Sequence, residues 1–126
     1  MHDDISAVYE KEDDIKKINE RLVGFSFDEL KKTSHFYYSL EEKNTDINLL
    51  KENFRDFEKI KLIVKRKHKN GKSSYDFYYE LEEWAYLVYG ISFEEVPVLL
   101  NGFKVDRNFK HFKKQLMKNY KKYLIG

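Results

Sequence analysis

Apolar residues recur at helical spacing in the first half of the chain, alternate through its middle and return to helical spacing at the end. Residues 13–23 place Ile15, Ile18 and Leu22 on one face, with Asp13 and Asp14 at the favoured end and Gly24 as a stop. Ser26-Phe-Asp-Glu29 is a capping box, and it predicts a second helix running to about Asn44. Thr45 is placed to cap a third, whose apolar stripe is Ile47, Leu50, Phe54 and Phe57. At the other end, residues 108–124 put Phe109, Phe112, Leu116, Tyr120 and Tyr123 on one side of a helix. Lys110, Lys114, Lys118, Lys121 and Lys122 gather on the other, with His111 among them.

Between these helices the pattern is that of strands. Asn70-Gly71 separates two apolar runs and predicts a type I′ hairpin with strands near 59–69 and 72–82. That turn would set Val64 opposite Phe77, Leu62 opposite Tyr79, Arg66 opposite Tyr75 and Lys65 opposite Asp76, so apolar residues meet and a lysine meets an acid. Glu82-Glu83 leaves room for a second tight turn into WAYLVYGISF, which is apolar on both faces and therefore reads as a central strand. Ser92-Phe-Glu-Glu95 could cap a helix, but Pro97 would then lie inside it, so VPVLLNGFKV reads as a fourth strand with a bulge or turn at Asn101-Gly102. The expected fold is one α+β domain over residues 1–126. N-terminal helices pack on an antiparallel four-stranded meander, and a basic C-terminal helix follows.

Composition narrows the chemistry. The chain has no cysteine, which removes disulfides, thiolate zinc sites and cysteine nucleophiles and suits a reducing cytoplasm. No apolar run approaches the roughly 18 residues of a membrane span. The acidic start MHDDISAVYEKEDD lacks the apolar core of a secretory signal. One proline, five glycines and many Lys and Glu residues lean towards a thermophile. The net charge of +2 conceals two basic blocks: residues 59–72 hold seven basic residues and no acid, and residues 104–126 hold eight against one. If the fold joins them they form one polyanion-binding surface.

The motifs of several reactions are missing. There is no Gly-rich phosphate loop, no G-x-S-x-G and no H-E-x-x-H, and His2, His35, His68 and His111 lack metal-ligand spacing. No metal or other cofactor is expected. What remains is the equipment of metal-free RNA cleavage: a base for a ribose 2′-OH, cations for the phosphate, an acid for the leaving 5′-oxygen and aromatics for the bases. The hairpin offers Lys65, Arg66, Lys67 and His68 beside Tyr75 and Tyr78. The last strand ends at Lys104 and Arg107, and the final helix adds Lys110, Lys114 and Lys118. Each has a plainer reading as well: a lysine-rich tip as a guarded edge, a helix lysine face as ordinary amphipathicity, most aromatics as core.

SHFYYSLEEKN, then TDINLLKENFRDFEKI, then KLIVKRKHKNGKSSYDFYYEL, and finally FKVDR is an order that resembles the RelE-like toxins and the wider superfamily of small metal-free RNase toxins. The likeness covers roughly residues 30–112. RelE itself usually begins with a strand, for which ISAVY (residues 5–9) is the one candidate here, and its last helix is usually shorter than residues 108–124. The resemblance implies that His35 is the helix histidine, Arg66 or Lys67 the hairpin cation and Arg107 the basic residue after the last strand. It also implies RNA, free or on the ribosome, as substrate, and an antitoxin-like protein as partner. The residues leave open a non-catalytic RNA- or DNA-binding domain, or a protein-interaction domain on an inactive toxin-like fold.

Overall fold

Six strands form one mixed sheet in the order β1-β3-β4-β5-β6-β2. The computed structural model describes residues 4–125; His2 lies outside them. Strand β1 (Asp4–Tyr9) leads into helix α1 (Glu12–Asn19), the two-residue strand β2 (Lys31–Lys32), and helices α2 (Ser34–Glu42) and α3 (Ile47–Asn53). Strands β3 (Ile60–Lys67), β4 (Ser73–Glu82), β5 (Ala85–Ser92) and β6 (Val98–Val105) then form a meander, closed by helix α4 (Phe109–Tyr120). β1 lies antiparallel to β3, and β2 parallel to β6, so the four-stranded meander gains a strand at each edge. No helix among the described residues is long and apolar enough to cross a membrane.

The helical first half departs from expectation at several points, the first being that α1 ends at Asn19, short of residue 23 and of the stop expected at Gly24. The capping box at Ser26 forms with both of its hydrogen bonds, yet it caps only a single 3-10 turn, Phe27–Glu29. Lys31 and Thr33 then donate their backbone N–H groups to Pro97 and Leu99, so the chain pairs with β6 before it can continue as a helix. Thr33 caps α2 instead, accepting from the Phe36 N–H at 3.0 Å, and Asp46 rather than Thr45 caps α3.

The hairpin turn also differs from expectation. His68 O accepts from Gly71 N–H at 3.0 Å, and His68 N–H donates to Lys72 O at 2.8 Å. Gly71 has φ +84°, whereas Asn70 is not left-handed. This is a three-residue loop, Lys69–Gly71, with glycine at its left-handed position, and not a type I′ turn. The register therefore slips by one residue. Ile63 faces Phe77, Val64 faces Asp76, Lys65 faces Tyr75 and Arg66 faces Ser74. The expected Val64–Phe77, Arg66–Tyr75 and Lys65–Asp76 pairs do not form. A slip of one moves side chains to the other face, and here it brings Asp76 onto the face of Arg66. The next turn is shifted too: Glu82 pairs with Ala85, so Glu83 and Trp84 form it.

The expectation for β5 holds. Ala85 to Ile91 are all buried, under helices for most of the strand and under the Asn101 side chain at Gly90. On one face α1, α2 and α3 bury Phe36, Leu50, Phe54, Ile63, Phe77, Leu87 and Tyr89 among others. On the other, α4 sets Phe109 and Phe112 against Tyr78 and Tyr86. The segment after α4 reaches β1, where Ile125 N–H donates to Val8 O at 2.9 Å. From β5 to β1 is about 14 Å at ordinary strand spacing, a span that three turns of helix can cross. α4 thus lies across the strands towards the Val105 end of β6 and leaves the other half of this face uncovered.

Helix α3 is only seven residues long and leaves its final carbonyls without helical partners. The sheet supplies them: Tyr89 Oη donates to Leu50 O at 2.6 Å and Tyr79 Oη to Phe54 O at 2.7 Å, with the two rings 4.6 Å apart. Burial pushes both phenols well above their ordinary pKa, so both stay neutral in the folded protein. Tyr89→Phe should cost about 1–2 kcal/mol in urea unfolding, since a buried carbonyl loses its only donor from that side. The phenols' protons are held more tightly when folded. Their contribution is therefore whole below about pH 10, the unfolded value, and declines above it. A Tyr79→Phe/Tyr89→Phe variant should lose less stability between about pH 8 and pH 11 than the parent does.

Candidate functional site

The uncovered half of the α4 face is a groove of about 580 Å³. Its floor is β4, β5 and β6, with Tyr78, Val88, Gly90 and Phe103 beneath; Arg66 and His68 stand on the β3 side, and His35 and Asn101 on the β6 side. Backbone register explains why these residues meet. Arg66 pairs with Ser74, Asp76 with Gly90, and Gly90 with Asn101, so their side chains point from the same face. His35 comes from the first turn of α2, which β6 holds through Thr33 and Ser39.

Arg66 Nε donates to Asp76 Oδ2 at 2.6 Å, and the two side chains are 31% and 13% exposed. This is a half-buried pair, stronger than a surface ion pair and dependent on both partners. Burial alone would discourage the guanidinium charge. Asp76, by charge and hydrogen bond, and Tyr78 more than offset this, so the Arg66 pKa is raised. Burial and then the Asp76 charge push the Tyr78 phenol far above its ordinary value, against the pull of Arg66, so it remains a protonated donor. The Tyr78 ring stacks on Phe112 with centroids 5.1 Å apart, so it gives the groove its hydroxyl and not its face. His68 Nε2 lies 2.7 Å from Ser74 Oγ. The Asn101 carboxamide lies over Gly90, its Oδ1 buried without a hydrogen-bond partner. A Cβ on Gly90 would collide with it. Cation, carboxylate, phenol, hydroxyl and two imidazoles thus line one open cleft. Such a set can bind an anion and move protons beside it.

Four residues expected at a site are gathered here: His35, Arg66, His68 and Tyr78. The others are elsewhere. Tyr75 is on the opposite face, packed on Phe93 at 5.2 Å with Lys65 Nζ 5.8 Å from its ring. The register slip put it there, and the proton-carrying role expected of it beside Arg66 has no geometric basis. Lys67 shares that face and is exposed. Lys104 pairs with Asp106 at 3.2 Å near the opposite end of β6. Arg107 lies past Val105, which is itself about 13 Å along the strand from Asn101. It lines a separate hollow with Trp84, His111 and Gln115. Lys110 borders a third hollow with Glu80, Glu82 and Glu83. Lys114 and Lys118 are exposed on α4 and do not line the groove. The two basic blocks therefore do not share the groove: only the first contributes to it.

Asp76, Ser74, Asn101 and Gly90 are not among the residues the sequence pattern assigns to a site. Asp76 and Ser74 could have been found from Gly71, had it been placed at the third position of a longer loop. Asn101 stands out in the sequence only as part of a bulge or turn with Gly102, not as a site residue. Among the described residues no cluster of three or more His, Asp or Glu is arranged to hold a metal ion. Comparison with models of known protein families, with characterised proteins and with solved structures returns no match.

The fit of Asn101 over Gly90 can be measured directly. Gly90→Ala should destabilise the protein by about 1–3 kcal/mol, the usual cost of forcing an extra methyl into packed structure. In the Gly90→Ala/Asn101→Ala variant part of that loss should return, giving a coupling of about 0.5–3 kcal/mol in a denaturation cycle. Additive losses would show that the carboxamide is not held against Gly90.

Proposed function

We propose that the groove cleaves RNA without a metal, in the manner of a toxin-like endoribonuclease. The observation that supports this is the meeting of His35, Arg66 and His68, from two distant parts of the chain, in one cleft that also holds the Tyr78 hydroxyl. The resemblance in residue order to RelE-like toxins points the same way for His35 and Arg66. One imidazole takes the 2′-OH proton, the 2′-oxygen bonds to phosphorus, and the P–O5′ bond breaks. The other imidazole supplies the proton to O5′. The products are a 2′,3′-cyclic phosphate and a 5′-hydroxyl. Arg66, held by Asp76 at Nε and beside the Tyr78 hydroxyl, stabilises the charge that grows on the phosphorane oxygens.

The test is cleavage of RNA, free and on ribosomes, in excess EDTA. The chelator should leave the rate unchanged, and a deoxy substitution at the scissile nucleotide should abolish cleavage. His68→Ala should lower the rate by about 10²–10⁴. Arg66→Ala would remove a cation from beside a mostly buried carboxylate and so confuse instability with lost chemistry. Arg66→Lys is the sharper variant, because it keeps the charge opposite Asp76 and loses the planar fork; a fall of about 10² or more is expected. If the wild type cleaves under neither condition but still binds RNA with a steep salt dependence, the groove belongs to a binding module.

A further inference from the structure

We propose that the substrate is an unpaired RNA strand, one base of which stacks on Tyr38 beside the groove; this rests on the groove's being a phosphodiester site. Among the described residues only five large apolar side chains are strongly exposed, and two of them, Tyr37 at 50% and Tyr38 at 56%, are neighbours on α2. The same helix delivers His35 to the groove. Tyr38 is three residues on, hence on the same helix face, and its ring centroid is 6.1 Å from that of His35 with 33° between the planes. The Glu42 carboxylate one turn further along is near enough to raise the Tyr38 phenol's pKa, so the phenol stays neutral beside it. Phe103 lines the groove on the same side, with Lys43 Nζ 5.8 Å from its ring.

An aromatic row therefore leads out of the cleft along α2. None of the folding interactions described above uses the outward face of Tyr38. A nucleobase can use it, since every base has a π-face and stacking tolerates sequence. In a duplex both faces of each base are covered by its neighbours, so the platform selects strands that are not paired. A strand whose phosphate sits against Arg66 and which crosses the cleft towards His35 brings a base further along it over the Tyr38 ring.

The experiment uses the full chain and a short 2′-O-methyl RNA, which cannot form the cyclic phosphate, with 5-iodouridine for photocrosslinking. Wild-type protein should bind the single strand more tightly than the same strand annealed to its complement, and should crosslink at Tyr38. Tyr38→Ala should weaken binding about tenfold to hundredfold and lose the crosslink. Tyr38→Phe should bind within about twofold of wild type, because the ring and not the hydroxyl is used. Trp84→Ala, which removes an equally exposed ring far from the groove, should change nothing. Unaltered affinity in Tyr38→Ala while Arg66→Lys weakens binding would overturn the stacking platform and leave the groove reading intact. Equal affinity for duplex and single strand would also overturn it. A wild type that neither binds nor cleaves RNA would remove both.

Discussion

One glycine in a left-handed conformation decides which residues this protein presents to its surroundings. Gly71 closes a three-residue loop, and the loop fixes the pairing of β3 with β4. A two-residue loop would demand positive φ at Asn70 as well, a conformation that costs an asparagine little but a glycine less. The difference of one residue exchanges whole faces. In the register that exists, Asp76 reaches Arg66 at 2.6 Å and His68 reaches Ser74 at 2.7 Å. In the other, Asp76 would sit beside Lys65 and a tyrosine beside Arg66. The polar cleft and its charge pairing follow from that choice.

The second constraint is the reach of α4. Its apolar stripe is long enough to cross from β5 to β1 but covers only part of the strands' length. Tyr78 sits at the boundary. Its ring belongs to the aromatic stack with Phe112 and Tyr86, while its hydroxyl belongs to the cleft. The same side chain thus joins packing to polar chemistry: whatever holds α4 in place also holds the hydroxyl beside Arg66.

Much of the fold was legible where burial alone dictates the pattern. β5 is apolar on both faces because its side chains are buried on both, and α4 is amphipathic because it lies on a sheet. The meander was legible for the same reason. The two edge strands were not part of the expected sheet, although ISAVY, the one candidate for a first strand, is indeed β1. β1 is short and acidic at its start, and β2 has only two residues, which pair with a strand more than sixty positions later. No local pattern encodes such pairing. The capping box at Ser26 is a true signal with a short outcome, since Lys31 finds a partner in β6 before the helix can grow. For the site, the residue types at His35, Arg66 and His68 were readable because few residues do such chemistry. Their partners were not, because Asp76, Ser74 and Asn101 acquire meaning only from register. Tyr75 was expected at the site from the type I′ register and Arg107 from residue order, and the turn and the strand length carried them away from it.

The borders of the sheet have a consequence of their own. A strand at the rim of a sheet offers unpaired backbone groups to any other chain that arrives. Here one rim ends in a two-residue strand, too short to template much. The other, β1, is covered in part by the chain's own C-terminal segment, through the Val8–Leu124 bridge and the bond from Ile125. That segment acts as a guard against edge-to-edge growth. Trimming the chain after Tyr120 would therefore do more than shorten a helix end: it would bare a sticky rim, and the expected product is not an unfolded monomer but chains that add to one another strand by strand.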